Sequence, residues 1–315
     1  MNILITGGAG FLGSHLTEAL MEDNNITVVD NLITGRYDNV PKHDNVTFLG
    51  VDIVHQRKDL VKTFMQYKPD VVIHAAGSYK DPDDWTEDIL TNIEGTANVV
   101  RLCEEHSVKR LIYFQTSLCY GLHPDDSPLQ PNSEVRPEGS SYAITKTAGE
   151  QIIRMGKVPY ISFRLANVMG PRNLSGPVPT FFQRLKAGKP CFVMDTRRDF
   201  IFVDDLVRVV VQAVNGTGED NWIYHISTGH DYSIKELYDA VVDAMVLSDL
   251  EDVEVRTPHP DDAPTLLIDP SATEKDFHPW KADTDLHFAI AKAVNWYENK
   301  EFGETFTHLK DVKGE

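Results

Sequence analysis

The sequence predicts an α/β protein: a doubly wound parallel sheet with a smaller C-terminal α/β lobe interleaved with it. Three observations carry that reading. Short apolar runs alternate with longer amphipathic stretches through the first half of the chain. Those runs, such as "DVVIHAA", lack the polar alternation of a sheet wetted on one face. A glycine-rich turn joins the first run directly to a helical pattern. Strand–helix alternation implies parallel strands covered by helices, and strands without alternation imply cover on both faces.

In chain order, strands are read at residues 3–6, 27–29, 47–49, 71–74, 110–115 and 161–165, with helices at 11–21, 60–67 and 89–106. After residue 166 the rhythm changes. Prolines at 171, 177, 179 and 190 interrupt the chain, and "DFIFVDDLVRVVVQAV" then reads as a strand running into a helix. In "YSIKELYDAVVDAM", Ser233 and Glu236 form the sequence signature of a capping box at a helix start. Residues 1–165, with 200–226 returning, form one expected unit, and 166–199 with 227–315 the other.

Composition bounds the function. The 315 residues suffice for one large core, and 41% hydrophobic with 25% charged residues is ordinary for a globular chain. A net charge of −18 argues against a general nucleic-acid or anionic-membrane surface. No run approaches the ~18 apolar residues of a membrane span. Cys103, Cys119 and Cys191 are scattered, odd in number and without metal-ligand spacing, so a reduced, cytoplasmic setting and no metal are expected. "MNILITGG" opens on the first strand pattern, and no leader segment is expected.

"ITGGAGFLG" holds the first candidate site. Gly7, Gly10 and Gly13 allow a tight turn, a close approach of backbone to a pyrophosphate, and close helix–strand packing. Asp30, ending the second strand, supplies a carboxylate for ribose hydroxyls and disfavours a 2′-phosphate, so NAD is expected over NADP. In "SSYAITKTAGE", Tyr142 and Lys146 share a helix face. A neighbouring ammonium eases loss of the phenolic proton, which suits a base acting on an alcohol as hydride leaves its carbon. Against these stand plain structural readings. Cys119 is expected to be a packing thiol and His74 a core histidine. The acidic stretch Asp81, Asp83, Asp84, Glu87 and Asp88 is expected to be a solvated face at a helix start.

Taken with "VVDNL", "VIHAAG", "TNIEGTANVV", "TSLCYG", "RLANVMGPR", "RRDFIFVDDL" and "HISTG", these motifs resemble the extended short-chain dehydrogenase/reductases over nearly the whole length. The resemblance is to the NAD-dependent epimerase/dehydratase family acting on nucleotide sugars, and "YKDPDDWTED" is similar to members from O-antigen clusters. It implies a Rossmann-type NAD-binding domain, a C-terminal nucleotide-sugar lobe and a homodimer built on helix 89–106 and the Tyr142 helix. By the same resemblance Thr116 bonds the sugar oxygen, Tyr142 is the base, and Lys146 tunes it and holds a ribose. Phe11 and Leu12 offer amides to the pyrophosphate. Asn31 and Thr34 face the adenosine ribose, Asp52 and Ile53 the adenine. Ala75, Ala76 and Gly77 run under the cofactor, Asn92 supports them, and Lys80 reaches the nicotinamide side. Asn167 and Arg198 hold the substrate phosphates. In "HPDDAP" His259 stands where an arginine clamp is common, with Arg256 as its replacement, and a shortened "VMDTR" brings Arg197 into question as a further contributor. Leu266 falls near a position that gates N-acetyl groups.

The resemblance leaves two reactions. A dehydratase carries Asp and Glu directly after the threonine, to take a C5 proton and expel the C6 hydroxyl. Here those residues are Ser117 and Leu118, so an epimerase is favoured. A dehydratase with its acid and base elsewhere is the alternative, and a non-catalytic NAD-sensing regulator is a third reading.

Overall fold

The computed structural model describes residues 1–79, 81, 83–248, 250–258, 263–303 and 305–306. Its centre is a seven-stranded sheet. Six strands are β1 (Asn2–Thr6), β2 (Asn25–Val29), β3 (Val46–Leu49), β4 (Val71–His74), β5 (Arg110–Thr116) and β6 (Tyr160–Leu165). The seventh, Trp222–Ile226, lies outside β6, and the order runs Trp222–Ile226, β6, β5, β4, β1, β2, β3. Every pairing is parallel.

The strands lack polar alternation because both faces are covered. Ile3 and Ile5 belong to one buried cluster, with Leu16 and Leu20 of α1 (Phe11–Leu20) and Leu206, Val209 and Val210 of the helix Val203–Val214. Leu4, between them, faces the other cluster, with Leu60 and Phe64 of α2 (Arg57–Tyr67), Val99 and Leu102 of α4 (Thr96–Glu105) and Ile153 of α5 (Ser141–Met155). A period of two on a doubly covered sheet produces this division. Before α4 the chain makes the short helix α3 (Trp85–Asp88) and a π-helical stretch, Ile89–Gly95.

A third cluster forms a separate core from the helices Pro177–Lys186, Ile234–Ala244 and Leu286–Asn299, with Phe182, Leu237, Val241, Ile290 and Tyr297 at its centre. Pro177 begins a helix rather than breaking the chain, since the first helical position needs no amide donor. Ser233 and Glu236 make the capping box reciprocally: Glu236 N donates to Ser233 Oγ at 3.1 Å, and Ser233 N to Glu236 Oε2 at 2.7 Å. Phe200–Phe202 does form a strand before the helix Val203–Val214, but it pairs with Asn167–Met169 outside the main sheet.

Candidate active site

One cleft of about 570 Å³ runs along the C-terminal ends of the parallel strands, from the glycine turn to Arg198 and Leu266. Open α/β sheets bind ligands at this end. Gly7 has φ +68°, and a Cβ there would stand 2.6 Å from Ala76 N; one on Gly13 would stand 2.3 Å from Gly7 O. Gly10 differs, because its Cβ would meet only Gly7 O, at 3.2 Å. Gly7 and Gly13 are therefore required by the protein's own packing, whereas Gly10 keeps the wall of the cleft open. Gly10 caps α1 without a side-chain hydrogen bond, so the amides at the helix start, beside Phe11 and Leu12, face the cleft.

Asp30 lines the cleft but is also committed locally. Its Oδ2 accepts from Ala9 N at 3.0 Å and its Oδ1 from Leu32 N at 2.8 Å, so it pins the glycine turn. Burial pushes its pKa up against these amide bonds. Asn31 Nδ2 donates to Asp52 Oδ2 at 2.8 Å, and Asn31, Thr34, Asp52 and Ile53 line the same end of the cleft. Burial opposes ionisation of Asp52, yet bonds from Asn31 and the amides of His55 and Val54 outweigh it, and its pKa falls. Ala75, Ala76 and Gly77 form the floor. Asn92 is not part of the lining; it brackets Ser78, accepting from its amide at 2.9 Å and donating to its carbonyl at 3.0 Å. Lys80 and His259 lie outside the described residues.

At the centre, β5 ends at Thr116, whose hydroxyl accepts from Leu118 N at 3.2 Å and caps the turn that follows. Thr116, Ser117, Leu118, Tyr142 and Lys146 all line the cleft. Ser140 caps α5 and sets its direction. Lys146 Nζ lies 4.0 Å from the centroid of the Tyr113 ring, and a Cβ on Gly77 would come within 3.9 Å of it. Burial lowers the Lys146 pKa to about 7, against the pull of Glu150. Burial also raises the Tyr142 phenol, with Tyr79 and Asp88 adding to it. The expectation that Lys146 governs the phenol is thus incomplete: loss of water dominates both groups.

The far end holds Asn167, Arg198 and Leu266, with residues 175–178 at the start of the helix Pro177–Lys186. Asn167 is tied to the Asp199 carbonyl through its amide at 3.0 Å and its side chain at 3.2 Å. Two arginines considered from sequence do not line the cleft. Arg197 pairs with Asp231 at 2.9 Å. Arg256 pairs with Glu254 at 2.8 Å and lies over the Phe192 ring, because its strand Glu254–Arg256 runs alongside Phe192–Met194.

Sequence reasoning missed Tyr79, which lines the cleft with its ring 6.3 Å from that of Tyr142, edge to face. The expectation of a solvated acidic face holds for Asp81, Asp83 and Asp84, which are exposed, but it did not see that Asp81, Asp84 and the half-buried Glu87 line the cleft or that Asp88 is buried. Glu87 accepts from Thr91 Oγ1 at 2.7 Å, and Asp84 caps α3 by accepting from Glu87 N at 3.0 Å. The structural readings of Cys119 and His74 agree with their surroundings. The Cys119 thiol is buried and pushed up to about 12. His74 bridges Thr6 at 2.7 Å and Thr96 at 2.9 Å, with burial lowering its pKa to about 3.

The chain is similar to WbmH of Bordetella bronchiseptica, solved in complex with NAD+, at 46% identity and a TM-score of 0.90, covering 94% of this chain and 98% of that one. It is similar to WbmG of the same organism, solved with NAD and UDP, at 41% identity and a TM-score of 0.89, covering 98% and 99%. A UDP-glucose 4-epimerase of Mycolicibacterium smegmatis is 30% identical, over 95% of this chain and 99% of its own. Residues 3–227 match the model of the NAD dependent epimerase/dehydratase family, and the chain belongs to that family.

Proposed function

We propose that the protein is an NAD-dependent nucleotide-sugar epimerase acting on a UDP-sugar, by oxidation at C4 and return of hydride to the opposite face. The observation that carries this is the meeting of Thr116, Tyr142 and Lys146 at the strand end, where the next two residues, Ser117 and Leu118, have no carboxylate. The glycine turn, Asp30 and the floor Ala75–Gly77 fit a dinucleotide: Gly7 lets the turn lie against the Ala75–Ala76 backbone, Gly13 lets the helix lie against the turn, and Gly10 leaves the helix start clear of any side chain. Bound there, NAD supplies the hydride acceptor. Thr116 Oγ1 orients the sugar C4 oxygen, and Tyr142, entering as phenolate, takes its proton as the carbon loses hydride. Lys146 holds a ribose and supplies a cation one helical turn from Tyr142. Asn167, Arg198 and the helix start at residues 176–178 receive the substrate phosphates. The same phenol returns the proton when hydride comes back, so no further acid or base is needed.

A second reading is favoured by one observation. Asp81, Asp84 and Glu87 face the same cleft and offer the carboxylates a dehydratase needs. Proton NMR of products from a panel of UDP-, GDP- and dTDP-sugars in D2O separates the two. A stereoisomer without deuterium at C5 supports epimerisation; loss of water with deuterium at C5 overturns it.

The chain divides, in this reading, into an NAD-binding unit of residues 1–165 with 200–226 and a nucleotide-sugar lobe of 166–199 with 227–315, working in the cytoplasm. It assembles as a homodimer through α5 and the helices that pack on it. Trp85 (65% exposed), Ile89, Ile144 and Met155 (83% exposed) leave apolar surface along those elements. Light scattering of the purified protein tests this, and a monomeric mass overturns it.

A further inference from the structure

Two rungs of hydrogen bonds join the α3 region to the catalytic helix α5. In the first, Ser141 Oγ donates to Asp88 Oδ2. In the second, Asn92 Nδ2 donates to Thr145 Oγ1 at 3.1 Å. Asp88 and Asn92 are one turn apart, as are Ser141 and Thr145, and Tyr142 and Lys146 each follow a rung by one residue. The second rung is well satisfied, because Asn92 also brackets Ser78. The first is not. Asp88 is 1% exposed, and among the described residues its Oδ1 is a buried side-chain oxygen without a hydrogen-bond partner. Burying a carboxylate oxygen without a partner is costly, and such a group calls for an explanation.

We propose that Asp88 is a positioning residue for Tyr142: its buried carboxylate, bound by Ser141, fixes the first turn of α5 and keeps the proton on the phenol through the keto stage. The inference rests on the epimerase reading above. An epimerase uses one phenol twice. The proton passes from the sugar hydroxyl to the Tyr142 phenolate as hydride leaves carbon, waits there as the phenol while the keto sugar turns over, and returns to the same sugar oxygen with the hydride, restoring the phenolate. Nothing is oxidised or reduced overall. A carboxylate charge held at the first turn of α5 favours the protonated phenol during that wait. It is effective here because, among the described residues, a single neutral hydroxyl binds it.

The other titratable groups around Tyr142 can be named. Lys146 and, behind it, Glu150 lie on α5; Tyr113 comes from β5; Tyr79, Asp81 and Asp84 come from the segment after β4, and Glu87 from α3; Arg198 stands on the far side of the cleft. Burial contributes most to the raised phenol, Tyr79 next and Asp88 after it. A charged Lys146 opposes them, and Asp88 is the group tied to the residue beside Tyr142 in the chain.

The test uses the NAD-loaded protein with tyrosine carrying 13C at Cζ, the Tyr142 resonance being assigned by its loss in Tyr142→Phe. Asp88→Asn removes the charge and keeps the shape, and the Tyr142 midpoint should fall by about one pH unit, a tenfold loss of proton affinity. Ser141→Ala leaves the charge and removes its donor, so the midpoint should rise. A role confined to folding would lower stability without moving the two midpoints in opposite directions. A midpoint in Asp88→Asn that is unchanged or higher overturns the proposal. Should that variant not fold, Ser141→Ala decides: a rise supports the proposal, and a fall or no change overturns it. Failure of the epimerase reading shows separately, as absence of a stereoisomer from the sugar panel with the parent protein, and leaves these titrations readable.

Discussion

Replacing Lys146 by methionine should stabilise the dinucleotide-free protein. Lys146 is 5% exposed, and burial moves its pKa from 10.5 to about 7. Between those values the unfolded chain holds a proton that the folded one has released. Stability from this group is therefore present above pH 10.5, declines as pH falls through that range, and is lost in full below about 7. At 1.36 kcal/mol per unit, the charged lysine costs about 5 kcal/mol at pH 6 and about 1.4 kcal/mol at pH 9.5. Methionine has similar length and no charge. It also forfeits the contact of the ammonium with the Tyr113 ring, 4.0 Å away, worth up to about 2 kcal/mol where desolvated. The net expectation is a gain of about 3 kcal/mol at pH 6, narrowing to about 1 kcal/mol at pH 9.5. Urea titrations at the two pH values measure it. A variant no more stable than the parent at pH 6, or a gap that does not narrow on going to pH 9.5, would refute the reasoning. The variant should also lose activity, since active-site groups are commonly kept at the expense of stability.

The same geometry sets further outcomes. Gly13→Ala brings a Cβ to 2.3 Å from Gly7 O and 2.6 Å from Gly8 Cα, both backbone atoms, and should cost about 3 kcal/mol in urea titration. Gly10→Ala, whose Cβ meets only Gly7 O at 3.2 Å, should leave the fold within about 1 kcal/mol while weakening NAD binding at least about tenfold by calorimetry. Glu150→Ala removes the partner of Arg164, a fully buried pair 2.7 Å apart, and should cost about 3–5 kcal/mol by urea titration. Combining Glu150→Leu with Arg164→Met replaces both charges by apolar groups and should recover much of that loss. Tyr142→Phe should reduce turnover by at least about 100-fold while NAD remains bound, read by product NMR and by absorbance of the bound cofactor.

The sheet was legible because its information is local. Continuous apolar runs give six of the seven strands, and the glycine turn and the Ser233 capping box are read from neighbours in sequence. The seventh strand, Trp222–Ile226, was not singled out, since it sits at the edge and its partly polar run "WIYHI" follows no clear pattern. Arg256 was misplaced for a different reason. Its direction depends on pairing with Phe192–Met194, some sixty residues earlier, and nothing near Arg256 in sequence specifies that. Asp30 was identified as a cleft residue, yet its bonds to Ala9 and Leu32 could not be read from a motif that names only a carboxylate.

The acidic stretch shows where sequence and structure differ most in what they can decide. A carboxylate in the first turn of a solvated helix and one facing a substrate look alike in sequence, because both favour a helix N-terminus. The fold separates them: Asp81 and Asp84 are exposed at the rim of the cleft, Glu87 lines it half-buried, Asp83 is exposed away from it, and Asp88 turns inward to Ser141. The lack of a carboxylate at Ser117 and Leu118 therefore does not by itself exclude elimination of water, since the same cleft is lined by three others. What weighs against it is their commitment: Asp84 caps α3, Asp81 accepts from Asp83 N at 2.9 Å, and Glu87 accepts from Thr91. The carboxylate bound to the residue next to Tyr142 is Asp88, buried and held by Ser141. That arrangement suits a group that holds a phenol in place better than one that exchanges protons with substrate, and it favours the epimerase on structural grounds that do not depend on Ser117 and Leu118.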